Sequence, residues 1–229
     1  MRMIMAILSS ALLLLVDEAC AQSTYSVSIS RHASLKEPLG AKEIRNILKD
    51  ASTMLQKNSE SNGDADVGCN VTFSLKGPIR TFGSASTPTD IVDEQHRDAV
   101  HKIDSNVAGV DFHIKIVKEI PFCRPGLQGP FDGCSFPIHF RSIIVVDPSE
   151  HKDSLPTNVK YPDHLLWAHE FGHLTGLPHR HSKVALMTSC PVVKLLSASR
   201  VQVDKEECNC LLGGPGFCPL PAAVLNCQP

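Results

Sequence analysis

The sequence predicts an α+β fold, and three observations carry that prediction. An amphipathic helix pattern stands ahead of the strand patterns. Three separate stretches then alternate, or run apolar, in the manner of strands. A further helical pattern, dense in histidine and closed by a glycine, follows the last of them, and a short helix comes near the end. Helices that largely bracket the strands, with no internal repeat, point to one α+β domain over residues 22–229.

The elements follow in order. Over residues 41–57, Ile44, Ile47, Leu48, Ala51 and Leu55 fall on one stripe, with Lys42, Arg45, Lys49 and Asp50 away from it. Residues 58–66 are rich in Ser, Asn, Gly and Asp and read as a loop. Val67 to Leu75 alternates as a strand, and Gly77-Pro78 ends it. Another helix spans part of 90–103. Val110, Phe112, Ile114 and Ile116 alternate with Asp111, His113 and Lys115, the pattern of a half-buried strand. The Pro- and Gly-rich stretch 121–137 reads as a loop stapled by Cys123 and Cys134. Ser142 to Val146 is a buried strand closed by Asp147-Pro148. A helix over about 162–176 starts near Pro162, a residue suited to a first helical position. A short helix follows Asp204, with Glu207 completing a capping box. The tail, about 209–229, is rich in Gly, Pro and Cys.

Residues 1–21 have the layout of a secretory signal. Arg2 supplies the charge, Met3 to Val16 is largely apolar, and Ala19-Cys20-Ala21 forms the cleavage site. The apolar run is too short to span a membrane. Losing one basic and two acidic residues with that segment moves the formal charge from -2 to -1. A charge this near zero argues against nucleic acid or an anionic membrane as partner. Of the nine cysteines, Cys20 leaves with the signal. The even remainder implies a disulfide framework in an oxidising compartment, extracellular or periplasmic. Cys123–Cys134 is the expected first pair and Cys190–Cys208 the second, leaving Cys69, Cys210, Cys218 and Cys227 to pair in an order that sequence does not give.

The chemistry concentrates in His169-Glu170-Phe171-Gly172-His173-Leu174-Thr175-Gly176-Leu177-Pro178-His179. On a helix, His169 and His173 are separated by about 6 Å of rise and about 40° of rotation. Both imidazoles can reach one metal ion. Glu170 lies on the flank of the same face, where a base can take a proton from an attacking water. Gly176 can adopt positive φ, end the helix and reverse the chain. The reversal returns His179 as a third ligand. Three protein ligands leave one tetrahedral position open, which marks a catalytic zinc site rather than a structural one.

This segment resembles the signature of the metzincin zinc endopeptidases, a long histidine motif followed by a methionine. Ala185-Leu186-Met187 supplies the methionine, eight residues after His179, and most resembles the matrixin branch or its small secreted bacterial relatives. Arg180 departs from the small hydroxylated residue usual there. Val201-Gln202-Val203 with Glu207-Cys208 looks like the start of the third helix of those relatives. The resemblance covers roughly residues 161–210. It implies a metzincin-like zincin domain: a twisted mixed sheet, an N-terminal helix, the zinc helix, a Met-turn at about 185–188 and a C-terminal helix. It implies one catalytic Zn2+ held by His169, His173 and His179, with Glu170 as general base and acid. Met187 would be a hydrophobic floor and not a ligand. It further implies a monomer that binds an extended peptide or protein substrate in a cleft, alongside an edge strand sought here between Phe136 and Val146. No segment over 22–60 resembles the cysteine-bearing inhibitory stretch of matrixins.

Plainer readings compete. A bare His-Glu-x-x-His occurs by chance in many helices; Gly176, His179 and Met187 at these spacings are what set this one apart. His181 is a rival third ligand, two residues too far along. His164, about 140° around the helix from His169, is expected to face solvent or the groups surrounding the ligands rather than the metal itself. A zinc-bearing binding module or toxin-like factor is the alternative function, against which the intact Glu170 argues.

Overall fold

The computed structural model describes residues 22–36, 38–56, 67–84, 91–105, 107–136, 141–149, 163–180, 185–188 and 201–219. The leader 1–21, Pro162, His181, Cys190 and Cys227 lie outside the described residues. The chain runs β1 (Ser23–His32), α1 (Ala41–Gln56), β2 (Val71–Leu75), β3 (Arg80–Phe82), α2 (Glu94–Lys102), β4 (Phe112–Val117), β5 (Phe122–Arg124), β6 (Leu127–Gln128), β7 (Gly133–Phe136), β8 (Ser142–Val146), α3 (Asp163–Thr175) and α4 (Lys205–Gly213). One mixed sheet and four helices among the described residues are compatible with the α+β class expected.

The sheet is ordered β2-β1-β4-β8-β7, with β3 also pairing β1. The pairings β1·β2, β1·β3, β1·β4 and β4·β8 are parallel, whereas β7 runs antiparallel to β8. β1 is a strand that the sequence reading passes over. Its signal is present: Tyr25, Val27 and Ile29 alternate with Ser26, Ser28 and Ser30. Serine on the second face keeps the local hydrophobicity modest, although both faces are covered once the sheet forms. The same effect corrects the reading of β4. Its alternation holds, but the strand is buried on both faces. Phe112, Ile114 and Ile116 enter the main core. His113 and Lys115 face the other side, where His113 Nδ1 meets Ser28 Oγ at 2.5 Å and Lys115 Nζ donates to the Ile103 carbonyl. Burial pushes the His113 pKa down to about 4 and that of Lys115 to about 8.

The main core lies between the sheet and two helices. α1 contributes Ile44, Leu48, Ala51 and Leu55, and α3 contributes Leu165, Ala168, Phe171 and Leu174. Phe171 packs against Tyr25, Phe73 and Phe112, with ring centroids 4.9 to 5.0 Å apart. Each such side chain, once buried, contributes about 1.5–3 kcal/mol, so α3 is anchored by its apolar face and its histidines inherit that position.

Three disulfides join described cysteines: Cys69–Cys208, Cys123–Cys134 and Cys210–Cys218. Cys123–Cys134 is the pair expected. Cys190–Cys208 is not formed, because Cys208 bonds Cys69, 139 residues away in sequence. Proximity along the chain is a poor guide there, since α4 packs back beside the segment leading into β2. Within the stretch expected to be a loop, residues 121–136 carry regular structure. They form the small β5–β6 hairpin and then β7. Among the described residues the sheet has β2 at one edge and β7, Gly133–Phe136, at the other, and it is β7 that lies beside α3. β8, within the 136–146 stretch expected to form the edge, is paired on both sides. Val201 to Val203 is not helical. Gln202 bridges to Ala185, and α4 begins only after Asp204, with the capping box in place. Disulfides are consistent with an oxidising environment. Among the described residues no helix is long and apolar enough to cross a membrane.

Candidate metal centre

The C-terminal end of α3 fixes the geometry of the site. Gly176 has φ 103°. Its N–H donates to the His173 carbonyl, and the Leu177 N–H donates to that of Gly172, both at 3.0 Å. These are the two bonds of a Schellman cap. Two further carbonyls at this end accept from the tail: Leu174 O from Gly216 N at 2.8 Å and Thr175 O from Cys218 N at 2.9 Å. All four terminal carbonyls of the helix are thus satisfied without water. The tail approaches so closely that a Cβ at position 176 would lie 2.1 Å from Cys218 O. Glycine is required there on both counts.

The reversal brings His179 back to the helix. One ring nitrogen from each of His169, His173 and His179 lies within 4.8 Å of the other two, a group that could hold a metal ion. His173 Nε2 and His179 Nε2 are 2.9 Å apart. His169 Nδ1 lies 2.6 Å from Leu186 O and His173 Nδ1 2.9 Å from Leu177 O. A carbonyl only accepts, so the proton sits on Nδ1 in both rings and each Nε2 lone pair is left for the centre. That is the backbone support typical of metal-binding histidines. Burial lowers the pKa of all three, reinforced at His173 and His179 by neighbouring histidines and by Arg124 of β5. The His179 value falls to about 4. Neutral imidazoles are the ligating form. The donor set therefore fits an imidazole-preferring transition ion, and three ligands leave room for a further one.

The segment 185–188 closes the site from below. Thr188 N donates to Ala185 O at 3.2 Å, forming a tight turn, and Leu186 N donates to Gln202 O at 2.9 Å. Met187 is fully buried. A Cβ at Gly172 would meet Met187 Sδ at 2.3 Å, so the thioether lies directly against the bare backbone of α3. The turn thus supports the helix with Met187 and orients His169 with the Leu186 carbonyl. Arg180 fixes the far side of the His179 loop. It pairs with Asp204 at 3.0 Å and Glu207 at 3.3 Å, the two members of the α4 capping box.

Glu170 is buried on the β7 side of α3, where Ser135 Oγ donates to its Oε2 at 2.6 Å. Burial pushes its pKa up to about 7; the Ser135 bond opposes the shift and Asp132 adds to it. A cation held by the histidines would pull it down again. His164 is half-buried, with Asp50 of α1 as its charged neighbour. Sequence reasoning identified the triad, Glu170, Gly176 and Met187. It missed Ser135, Gly133 and Arg124, which lie in the stretch read as loop; only the flanking cysteines hinted that this stretch was held in place.

No protein-family model matches the chain, and no curated protein matches it. A chain from the solved "Structure of a chaperone-substrate complex" is similar at a TM-score of 0.49 and 12% identity, over 84% of this chain and 35% of that one. This chain spans about a third of its length, and a likeness at that level carries no functional argument.

Proposed function

We propose that the protein is a secreted zinc-dependent endopeptidase of the metzincin type, closest to the matrixin branch. The observation that carries the reading is the convergence of His169, His173 and His179 beside a buried Glu170, over a turn that buries Met187. Zinc bound by the three imidazoles would supply Lewis-acid polarisation of the scissile carbonyl and acidify water to a pKa of about 7. Glu170 accepts a proton from the attacking water as its oxygen bonds the carbonyl carbon. It then delivers that proton to the leaving nitrogen as the C–N bond breaks. An extended peptide would add to the outer edge of β7, which brings its backbone alongside Glu170.

The test is cleavage of a diverse peptide library by purified protein, read by mass spectrometry. Cleavage should stop with a zinc chelator and return with zinc. Glu170→Ala should keep zinc and lose about 10²–10⁴-fold in rate. Zinc-loaded protein that cleaves nothing, or a Glu170→Ala variant with wild-type turnover, refutes the reading. In the first case a zinc-bearing binding module takes its place.

A further inference from the structure

One polar side chain beyond the triad reaches the reacting group. Ser135, the third residue of β7, places its hydroxyl 2.6 Å from Glu170 Oε2 and 2.8 Å from the Glu170 carbonyl. Two residues earlier, on the same face of the strand, Gly133 presents bare backbone to the other carboxyl oxygen. A Cβ there would lie 2.4 Å from Oε1 and 2.6 Å from both Cδ and Cγ. A hydroxyl therefore grips one oxygen of Glu170, and the rest of its side chain fits a space that any residue larger than glycine would fill. The residue between the two, Cys134, points to the opposite face and is bonded to Cys123. The Cys123 carbonyl accepts from Arg97 Nη1 at 2.9 Å. On its other side β7 pairs with β8 from Gly133↔Val145 to Phe136↔Ser142. The seat is thus held by a sheet ladder, a disulfide and a buried guanidinium.

We propose that Ser135 is the positioning residue of the general base, and that Gly133 is required because Glu170 occupies the space of its missing side chain. This rests on the peptidase reading for its meaning in catalysis, but the contact itself can be tested without it. The Ser135 hydroxyl is taken up by Glu170, so a peptide added to β7 would meet this residue through its backbone, which the variants below leave in place. The hydroxyl sets the direction of the carboxylate, so its loss acts on kcat and leaves zinc content and KM alone.

Three variants decide it: Ser135→Ala, Ser135→Thr and Gly133→Ala. In zinc-loaded protein, Ser135→Ala should lower kcat by about 10–100-fold, the equivalent of a hydrogen bond to a charged group, with KM within twofold and zinc content unchanged. Ser135→Thr keeps the hydroxyl and should restore most of kcat. Gly133→Ala should lower kcat comparably while zinc stays bound. The second readout uses metal-free protein, as a double-mutant cycle in urea with Glu170→Ala. Ser135→Ala should shift the unfolding midpoint clearly more when the Glu170 carboxylate is present than when it is absent, the smaller shift in the second background being loss of the bond to the backbone carbonyl of residue 170. Equal midpoint shifts in both backgrounds overturn the proposal, as does a Ser135→Ala enzyme within twofold of wild-type kcat. Should the wild type cleave no peptide, the peptidase reading falls and the urea cycle alone still decides the seat.

Discussion

The contact between Met187 and Gly172 gives a prediction in which a substitution changes sign with its background. Gly172 sits inside α3, where alanine is favoured over glycine by about 1 kcal/mol. The new methyl would lie 2.3 Å from Met187 Sδ and 3.2 Å from its Cε, with Leu177 Cδ1 at an ordinary 3.6 Å. Crowding in a packed core costs about 1–3 kcal/mol. Gly172→Ala alone should therefore be neutral to destabilising, by about 0–2 kcal/mol once the helix gain is set against the clash. Met187→Ala alone removes a fully buried side chain from the main core, at about 2–5 kcal/mol. With that side chain gone the clash disappears, and Gly172→Ala should now stabilise by about 1 kcal/mol. Denaturant unfolding of the four proteins, metal-free, reads all three values. Zinc content after dialysis should fall for Met187→Ala and hold for Met187→Leu, which conserves volume and costs under about 1.5 kcal/mol. If Gly172→Ala destabilises equally in both backgrounds, Met187 does not lie against the helix. If Leu and Ala at 187 lose zinc alike, the methionine is a ligand and not a floor.

The remaining predictions concern metal, pH and the tail. His179→Ala should lose stoichiometric zinc by metal analysis; full retention would reassign the third ligand to His181. His101 is fully buried, with Nδ1 2.5 Å from Ser142 Oγ, and burial lowers its pKa to about 3. With His113 at about 4, the unfolded chain takes up protons first as pH falls below about 6.5. Stability should therefore decline from pH 6.5 toward 4, and His113→Asn should flatten that slope in urea midpoints taken against pH. An unchanged slope in the variant would show that His113 is protonated equally in both states. Opening Cys210–Cys218 by paired Ser substitution should cost about 2–3 kcal/mol by loop entropy. It should also release zinc faster, because the tail that caps Leu174 and Thr175 is freed; unchanged zinc off-rates would separate the tail from the site.

Several parts of the fold and site were legible in the chain because they are local. The ligand spacing follows from helix geometry, so His169 and His173 share a face wherever that helix packs. The end of the helix follows from Gly176, the only residue type suited to its φ of 103°. The Asp204–Glu207 box and the apolar stripe of α1 depend on residues three and four apart. Cys123–Cys134 closes a short stretch and needed nothing beyond proximity. Other features needed the tertiary structure because their partners are distant in sequence. β1 and β4 are buried on both faces only once the sheet has neighbours on each side, so their serines, His113 and Lys115 read locally as exposed. The edge strand depends on the order of pairing, which alternation within a strand cannot reveal. Cys208 bonds Cys69 because α4 packs back near the start of β2. Ser135 reaches Glu170 across 35 positions. Spacing on one helix and one turn is enough to show which side chains could hold a metal. What holds them in place is long-range: a buried Met187 against the helix, a tail closing the helix end, and an edge strand that seats the Glu170 carboxylate. Those contacts come from packing of segments whose separation along the chain leaves no periodicity to read.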